Sequence, residues 1–145
     1  MAQEDDTRKR ILVVDDTEIF RVLMQDLLEK SGYEVITAKD GLEALQTIKH
    51  EMPNLHLVLL DLLLPKMTGF DVLREIRQGK MGKDLRILVI TNVFKDAAQI
   101  ERVKELGANG YISKDLNASE IVDRIQRTLS EGSEGFEGSG EEDNQ

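Results

Sequence analysis

The stretch Leu57-Val58-Leu59-Leu60-Asp61-Leu62-Leu63-Leu64-Pro65 decides the fold. It is the longest apolar run in the chain, and one carboxylate breaks it. Consecutive aliphatic side chains suit a strand covered on both faces, as in a parallel sheet. The run is too short to cross a membrane. Taken alone, Asp61 reads as a turn residue ahead of Pro65. Similar apolar runs recur at Ile11–Val14, Val35–Ala38 and Ile87–Ile90, with a weaker one at Tyr111–Ile112.

Helical patterns separate these runs. Phe20, Leu23, Met24, Leu27 and Leu28 fall on one face of a 3.6-residue period. Leu45, Ile48 and Met52 make a second face; Val72, Leu73 and Ile76 a third; Ile100, Val103 and Leu106 a fourth. Ala118, Ile121, Val122, Ile125 and Leu129 make a fifth. Asp40 with Glu43, and Asn117 with Glu120, have the spacing of capping boxes, and Thr68 is an N-cap just past Pro65. Gly32 and Gly107 stand where helices end in a left-handed residue. The chain therefore alternates strand and helix five times, which implies an α/β fold with a parallel sheet, helices on both faces and right-handed crossovers.

The 145 residues are 40% hydrophobic, enough for one core, and with 4% aromatics that core must be aliphatic. With no cysteine, disulfides and thiolate metal sites are excluded, which suits a cytoplasmic location. No signal peptide precedes the first strand. The net charge of −9 is concentrated at the end, where residues 130–145 carry six acids and no base, leaving about −3 on the rest. No basic face for nucleic acid is evident. Residues 1–8 read as a flexible lead-in, 9–130 as the domain and 131–145 as an acidic, Gly/Ser-rich solvated tail. The tail carries no helix-turn-helix or catalytic pattern.

In an open α/β sheet, ligands bind beyond the carboxyl ends of the strands. Asp15 and Asp16 follow the first strand, Asp61 the third, Thr91 the fourth, and Ser113, Lys114 and Asp115 the fifth. Each has a bland reading alone: a helix cap for Asp15 or Asp16, a turn for Thr91, a solvated charge for Lys114. Together they form a coherent set. Three close anions raise one another's pKa unless a cation sits among them, and a hard, oxygen-preferring ion, Mg²⁺ above all, is the expected occupant. A carboxylate beside a metal, a lysine and a hydroxyl can attack phosphorus and form an acyl phosphate.

These motifs resemble the receiver domains of two-component response regulators. The resemblance rests on Ile11-Leu-Val-Val-Asp15-Asp16, Leu59-Leu60-Asp61-Leu-Leu-Leu-Pro65, Thr68-Gly69, Val89-Ile90-Thr91, and Gly107-Ala108 with Tyr111-Ile112-Ser113-Lys114, and covers about residues 9–130. It implies a flavodoxin-like, doubly wound (βα)5 fold with sheet order 2-1-3-4-5. Asp61 would accept phosphate from a phosphohistidine on a histidine kinase or a phosphotransfer protein. Asp16, Asp61 and the backbone carbonyl of Leu63 would bind Mg²⁺ (Mn²⁺ serving as a substitute), with Asp15 acting through a water. Lys114 and Thr91 would each contact a phosphoryl oxygen. Tyr111 would turn inward with Thr91 and alter the surface of the fourth helix, fifth strand and fifth helix, where such domains dimerise or meet a downstream protein. No membrane and no direct nucleic-acid contact are implied.

The sequence also departs from the family pattern. Asp115 follows Lys114 where the family has a cis-proline; a cis bond before aspartate would cost roughly 2.5–4 kcal/mol, so a trans bond is expected. Asn92 is larger than the usual residue and would narrow access. Leu63 and Val93 are apolar where the hydrolytic water passes in the family, which implies a long-lived phosphoryl group. Leu63 also stands where a phosphatase of the haloacid dehalogenase type needs a general acid, which argues against turnover. A receiver-like interaction module that takes no phosphate is the other reading. His50 and His56 are expected to be surface or dipole-compensating residues.

Overall fold

The computed structural model describes residues 8–79, 82–92 and 96–131. Its elements run β1 (Arg10–Val14), α1 (Glu18–Lys30), β2 (Glu34–Ala38), α2 (Gly41–Glu51), β3 (Leu57–Leu60), α3 (Gly69–Gln78), β4 (Arg86–Thr91), α4 (Ala97–Glu105), β5 (Gly110–Ser113) and α5 (Ala118–Glu131). All pairings are parallel, in the order β2-β1-β3-β4-β5. The expected alternation and sheet order are both present. The readings of residues 1–7, of Val93 and of the tail past Glu131 fall outside the described residues.

The inner strands β1, β3 and β4 have apolar middles because both their faces are covered. Leu12, Val14, Val58, Leu60, Ile87 and Val89 pack with α2, α3 and α4. Their neighbours Ile11, Val13, Leu57, Leu59, Leu88 and Ile90 pack on the other side with α1 and α5. Alternate residues point to opposite faces, so each run feeds two cores. A fully buried side chain such as Leu59 contributes about 1.5–3 kcal/mol.

The helix ends follow the local chemistry. Asp40 Oδ1 accepts from Glu43 N at 2.8 Å, Thr68 Oγ1 from Asp71 N at 3.2 Å, and Asp96 Oδ1 from Gln99 N at 3.2 Å. Asn117 and Glu120 close a reciprocal capping box, with bonds of 2.9 and 3.0 Å. In the Asp40 cap, Glu43 reaches past the cap residue to the N–H of Lys39. Gly32 and Gly107, at φ 97° and 101°, terminate α1 and α4 with the paired backbone bonds of a left-handed stop.

His50 is exposed in the last turn of α2, as expected of a dipole-compensating residue. His56 is not a surface residue. It is half-buried, and its Nδ1 accepts from Arg10 N at 3.0 Å while its own N–H donates to Arg10 O at 3.0 Å. It joins β1 to the start of β3 as a neutral acceptor.

Candidate functional site

Parallel register brings the acids together. Val14 pairs with Leu60, so the residues that follow, Asp15 and Asp61, leave adjacent strands side by side. Asp61 N donates to Val14 O, and Asp15 N to Ala38 O, each at 3.1 Å. Carboxylate oxygens of Asp15, Asp16 and Asp61 lie within 4.8 Å of one another. Asp15 and Asp61 are buried, and Asp16 is exposed and opens the cluster to solvent.

Lys114 comes in from the end of β5. Its backbone N–H donates to Thr91 O at 3.0 Å, continuing the β4–β5 ladder past the Thr91–Ser113 pair. Among the described residues the cis peptide bond is Met52–Pro53, so Lys114–Asp115 is trans, as expected without a proline. The loop is pinned instead by Ser113 Oγ, which accepts from Asp115 N at 2.9 Å. The ammonium lies 2.5 Å from Asp15 Oδ2 and 3.3 Å from Asp61 Oδ2.

Asp15 partly fulfils its bland reading, because Oδ1 accepts from Thr17 N at 2.9 Å at the mouth of α1. Its Oδ2 is different: it is sealed from solvent and meets the Lys114 ammonium. The acidic trio around it has the hard oxygen donors that Mg²⁺ requires. The residues present therefore fit the ion.

Burial dominates the ionisation of Asp61 and pushes its carboxyl up. Lys114 pulls it back and Asp15 pushes it further, leaving it at about 6. Burial likewise pulls the Lys114 ammonium down, but the Asp15 and Asp61 carboxylates outweigh it and its pKa ends above the ordinary value.

Thr91 ends β4 fully buried. Leu63 donates its N–H to Asp61 Oδ1 at 3.3 Å and turns its side chain to solvent, as Asn92 also faces solvent. Tyr111 is buried among the residues packed with α4, its hydroxyl 3.5 Å from Gln99 Oε1.

The match to the response regulator receiver domain model spans residues 11–126. The chain belongs to the response regulator receiver family. Such a receiver domain is a signalling domain and in general not an enzyme. This one is 40% identical over 121 residues to the alkaline phosphatase synthesis transcriptional regulatory protein PhoP of Bacillus subtilis, covering 83% of the chain and 48% of that protein. The chain thus spans about half the length of that relative. It is 31% identical over 121 residues to the polar-differentiation response regulator DivK of Brucella ovis, covering 96% of it. Among solved structures, the receiver domain superposes on a chain of the CheX–CheY–BeF3–Mg²⁺ complex of Borrelia burgdorferi with a TM-score of 0.77 and 28% identity, over 83% of this chain and 88% of that one. Among the described residues no helix is long and apolar enough to cross a membrane.

Residue-type reasoning did not single out two side chains near the acids. Arg21 Nη1 donates to Asp15 O at 2.8 Å, fixing the first turn of α1 against the acidic loop. The Phe20 ring lies under Lys114 Nζ, 4.5 Å from ammonium to ring centroid. The signal available in the sequence was position: both lie in the first turn of α1, four to six residues past Asp15 and Asp16.

Proposed function

We propose that this receiver domain accepts a phosphoryl group on Asp61 from a phosphohistidine of a histidine kinase or phosphotransfer protein, with Mg²⁺ beside it. The observation that supports this most is the convergence of Asp15, Asp16, Asp61 and Lys114 at the carboxyl edge of the sheet. One ammonium offsets only part of the charge of three carboxylates, and a divalent cation completes the balance. Asp16, Asp61 and the carbonyl of Leu63 would hold the ion, with Asp15 reaching it through a water and Mn²⁺ as a substitute. Bound there, the ion would supply Lewis-acid charge to the oxygens of the transferring group.

An Asp61 carboxylate oxygen attacks phosphorus and the P–N bond to the imidazole breaks. The bonding electron pair returns to the ring nitrogen and the phosphate becomes an acyl phosphate. Lys114 exchanges its contact with Asp61 for a phosphoryl oxygen, and the Thr91 hydroxyl donates to another. That movement alters the α4–β5–α5 surface, in which Tyr111 already lies inward beside Gln99 and does not have to turn in, and through this surface the domain meets a downstream protein or a second copy of itself. The domain spans residues 9–130, followed by an acidic Gly/Ser-rich tail over 131–145, and works in the cytoplasm.

The test is incubation with acetyl phosphate and Mg²⁺ followed by intact-mass measurement. A gain of one phosphoryl group, absent in Asp61→Asn, is expected. No gain, or an equal gain in Asp61→Asn, overturns the reading.

A further inference from the structure

The Lys114 ammonium is held from two sides. On one side are the carboxylates of Asp15 and Asp61; on the other is the face of Phe20. Lysine has a flexible four-carbon stem whose immobilisation costs up to about 2 kcal/mol of rotamer freedom, so backbone placement alone does not aim its charge. The carboxylates aim it only while both are free anions. A metal ion or a phosphoryl group at the acids redistributes that attraction, whereas the ring is neutral and unaffected by either.

A lysine lying across an aromatic ring often does no more than cover it with its methylene stem. Here the charged end stands over the ring centroid. The Lys114 side chain is only 13% exposed, so the ammonium is largely desolvated, the condition in which attraction to an aromatic face is strongest. Phe20 is itself well anchored. It packs with the core residues of α1 and α5, and its neighbour Arg21 ties the first turn of α1 to the Asp15 carbonyl.

We propose that Phe20 is a positioning residue for the Lys114 ammonium, its ring face keeping the charge aimed at Asp61 while the acids exchange metal and phosphoryl partners. The proposal rests on Asp61 as the phosphoacceptor, but it concerns a contact that can be measured separately.

Replacing Phe20 by mono-, di- and trifluorophenylalanine drains the negative potential of the ring at nearly constant shape. Acetyl phosphate is the donor, so no protein has to dock on α1. The rate of mass gain on Asp61 should fall stepwise along the series, by roughly 3- to 30-fold at the end, the span of such contacts from exposed to desolvated. Phe20→Leu should fall similarly and Phe20→Trp should recover, with far-UV circular dichroism unchanged across the fluorinated set. A flat rate series overturns the proposal while the Asp61-dependent gain of the wild type leaves the phosphoacceptor reading intact. Should the wild type take up nothing, the phosphoacceptor reading falls, and the NMR shift of the Lys114 ε-methylene protons decides the contact on its own. An upfield shift lost in Phe20→Leu upholds it, and ordinary shifts in both proteins overturn it.

Discussion

Gly69 lies so close to Asp61 that a Cβ on it would sit 2.3 Å from the Asp61 carbonyl oxygen, and 2.7 Å from the Cα of Leu62. The obstruction is backbone, which cannot swing aside as a side-chain tip can. Gly69 N also donates to Leu62 O at 2.9 Å, tying the start of α3 to the loop that carries the acid. Gly69→Ala should therefore cost about 2–4 kcal/mol in urea unfolding and weaken Mg²⁺ binding, because the Asp61–Leu63 backbone has to move. Gly32→Ala is the contrast. At Gly32 nothing lies within 4 Å and only its φ of 97° resists a side chain, so the cost should be about 1 kcal/mol with Mg²⁺ affinity unchanged. Equal Mg²⁺ affinity in Gly69→Ala and wild type would refute the link between this contact and the site.

The raised pKa of Asp61 makes metal-free stability depend on pH. Its carboxyl titrates at about 6 in the fold against 3.8 ordinarily. A raised folded value means a contribution that is complete below the unfolded pKa and is lost as pH rises through about 6. At pH 7.5, in chelator, Asp61→Asn should therefore be more stable than wild type, on the order of 2 kcal/mol, and the gain should vanish near pH 4. Excess Mg²⁺ should close the gap from the other direction by stabilising the wild type. Urea denaturation at the two pH values, with and without Mg²⁺, checks all three.

Much of this arrangement was legible in the residues because it depends on local chemistry. The apolar runs announced strands covered on both faces, and Asp40, Thr68 and Asn117 announced helix starts. The acids, Thr91 and Lys114 could be assigned to one edge because a parallel sheet puts all its strand ends there. The polar first residues of the strands, Arg10, Glu34 and Arg86, were missed, since an apolar run does not include them; they are held by partners far off in sequence, Arg10 by Glu34 and Arg86 by Thr128 O. Lys66, at φ 66°, gives no sign in its residue type of a left-handed backbone. Three further features depend on which distant segments meet, and no periodicity encodes that: the space that requires Gly69, the Phe20–Lys114 contact, and the structural role of His56.

Arg77 belongs to the same class. Its guanidinium, whose pKa burial lowers, donates to Gly107 O at 2.9 Å, Gly82 O at 2.6 Å, Leu85 O at 2.7 Å and Asn109 Oδ1 at 2.9 Å. Asn109 Oδ1 also accepts from Ile87 N, so this hub joins α3 to β4 and to the lead-in of β5, the strand that delivers Lys114. Arg77→Ala leaves several of these acceptors without a donor and should cost about 3–5 kcal/mol. Arg77→Lys should restore only a minority of that, because a single ammonium cannot span acceptors set out for a planar fork. Thermal melts of both variants measure the ratio; full recovery by lysine would refute the hub.

His56 supplies a pH effect of opposite sign. Burial, then the charges of Lys9 and Arg10, hold its pKa below the ordinary 6.5. A depressed folded value means stability that is present above pH 6.5 and lost as pH falls toward the folded value. His56→Asn keeps an acceptor for Arg10 N and removes the titration. Measured on an Asp61→Asn background, which silences the opposing carboxyl, the His56→Asn protein should lose less stability between pH 7.5 and 5.5 than its parent. Parallel losses would show that the imidazole is not the group responsible.

Leu63 is expected to set how long a phosphoryl group on Asp61 would last. Its N–H reaches Asp61 Oδ1, so the residue is fixed beside the acceptor, yet its side chain is 58% exposed and offers no polar atom. A water approaching this side of the acid would find nothing on Leu63 to orient it for in-line attack. Orientation, more than access, is what accelerates hydrolysis at a positioned centre. Leu63→Asn places an amide there without disturbing the backbone N–H. It should shorten the half-life of the phosphoprotein about tenfold, equivalent to about 1.4 kcal/mol of barrier. Leu63→Met, equally apolar, should leave the half-life within about twofold, since it also presents no strong hydrogen-bonding group. Loss of the phosphoryl mass after removal of acetyl phosphate gives both half-lives. If Asn and Met variants decay alike, the apolar side chain is not what protects the acyl phosphate.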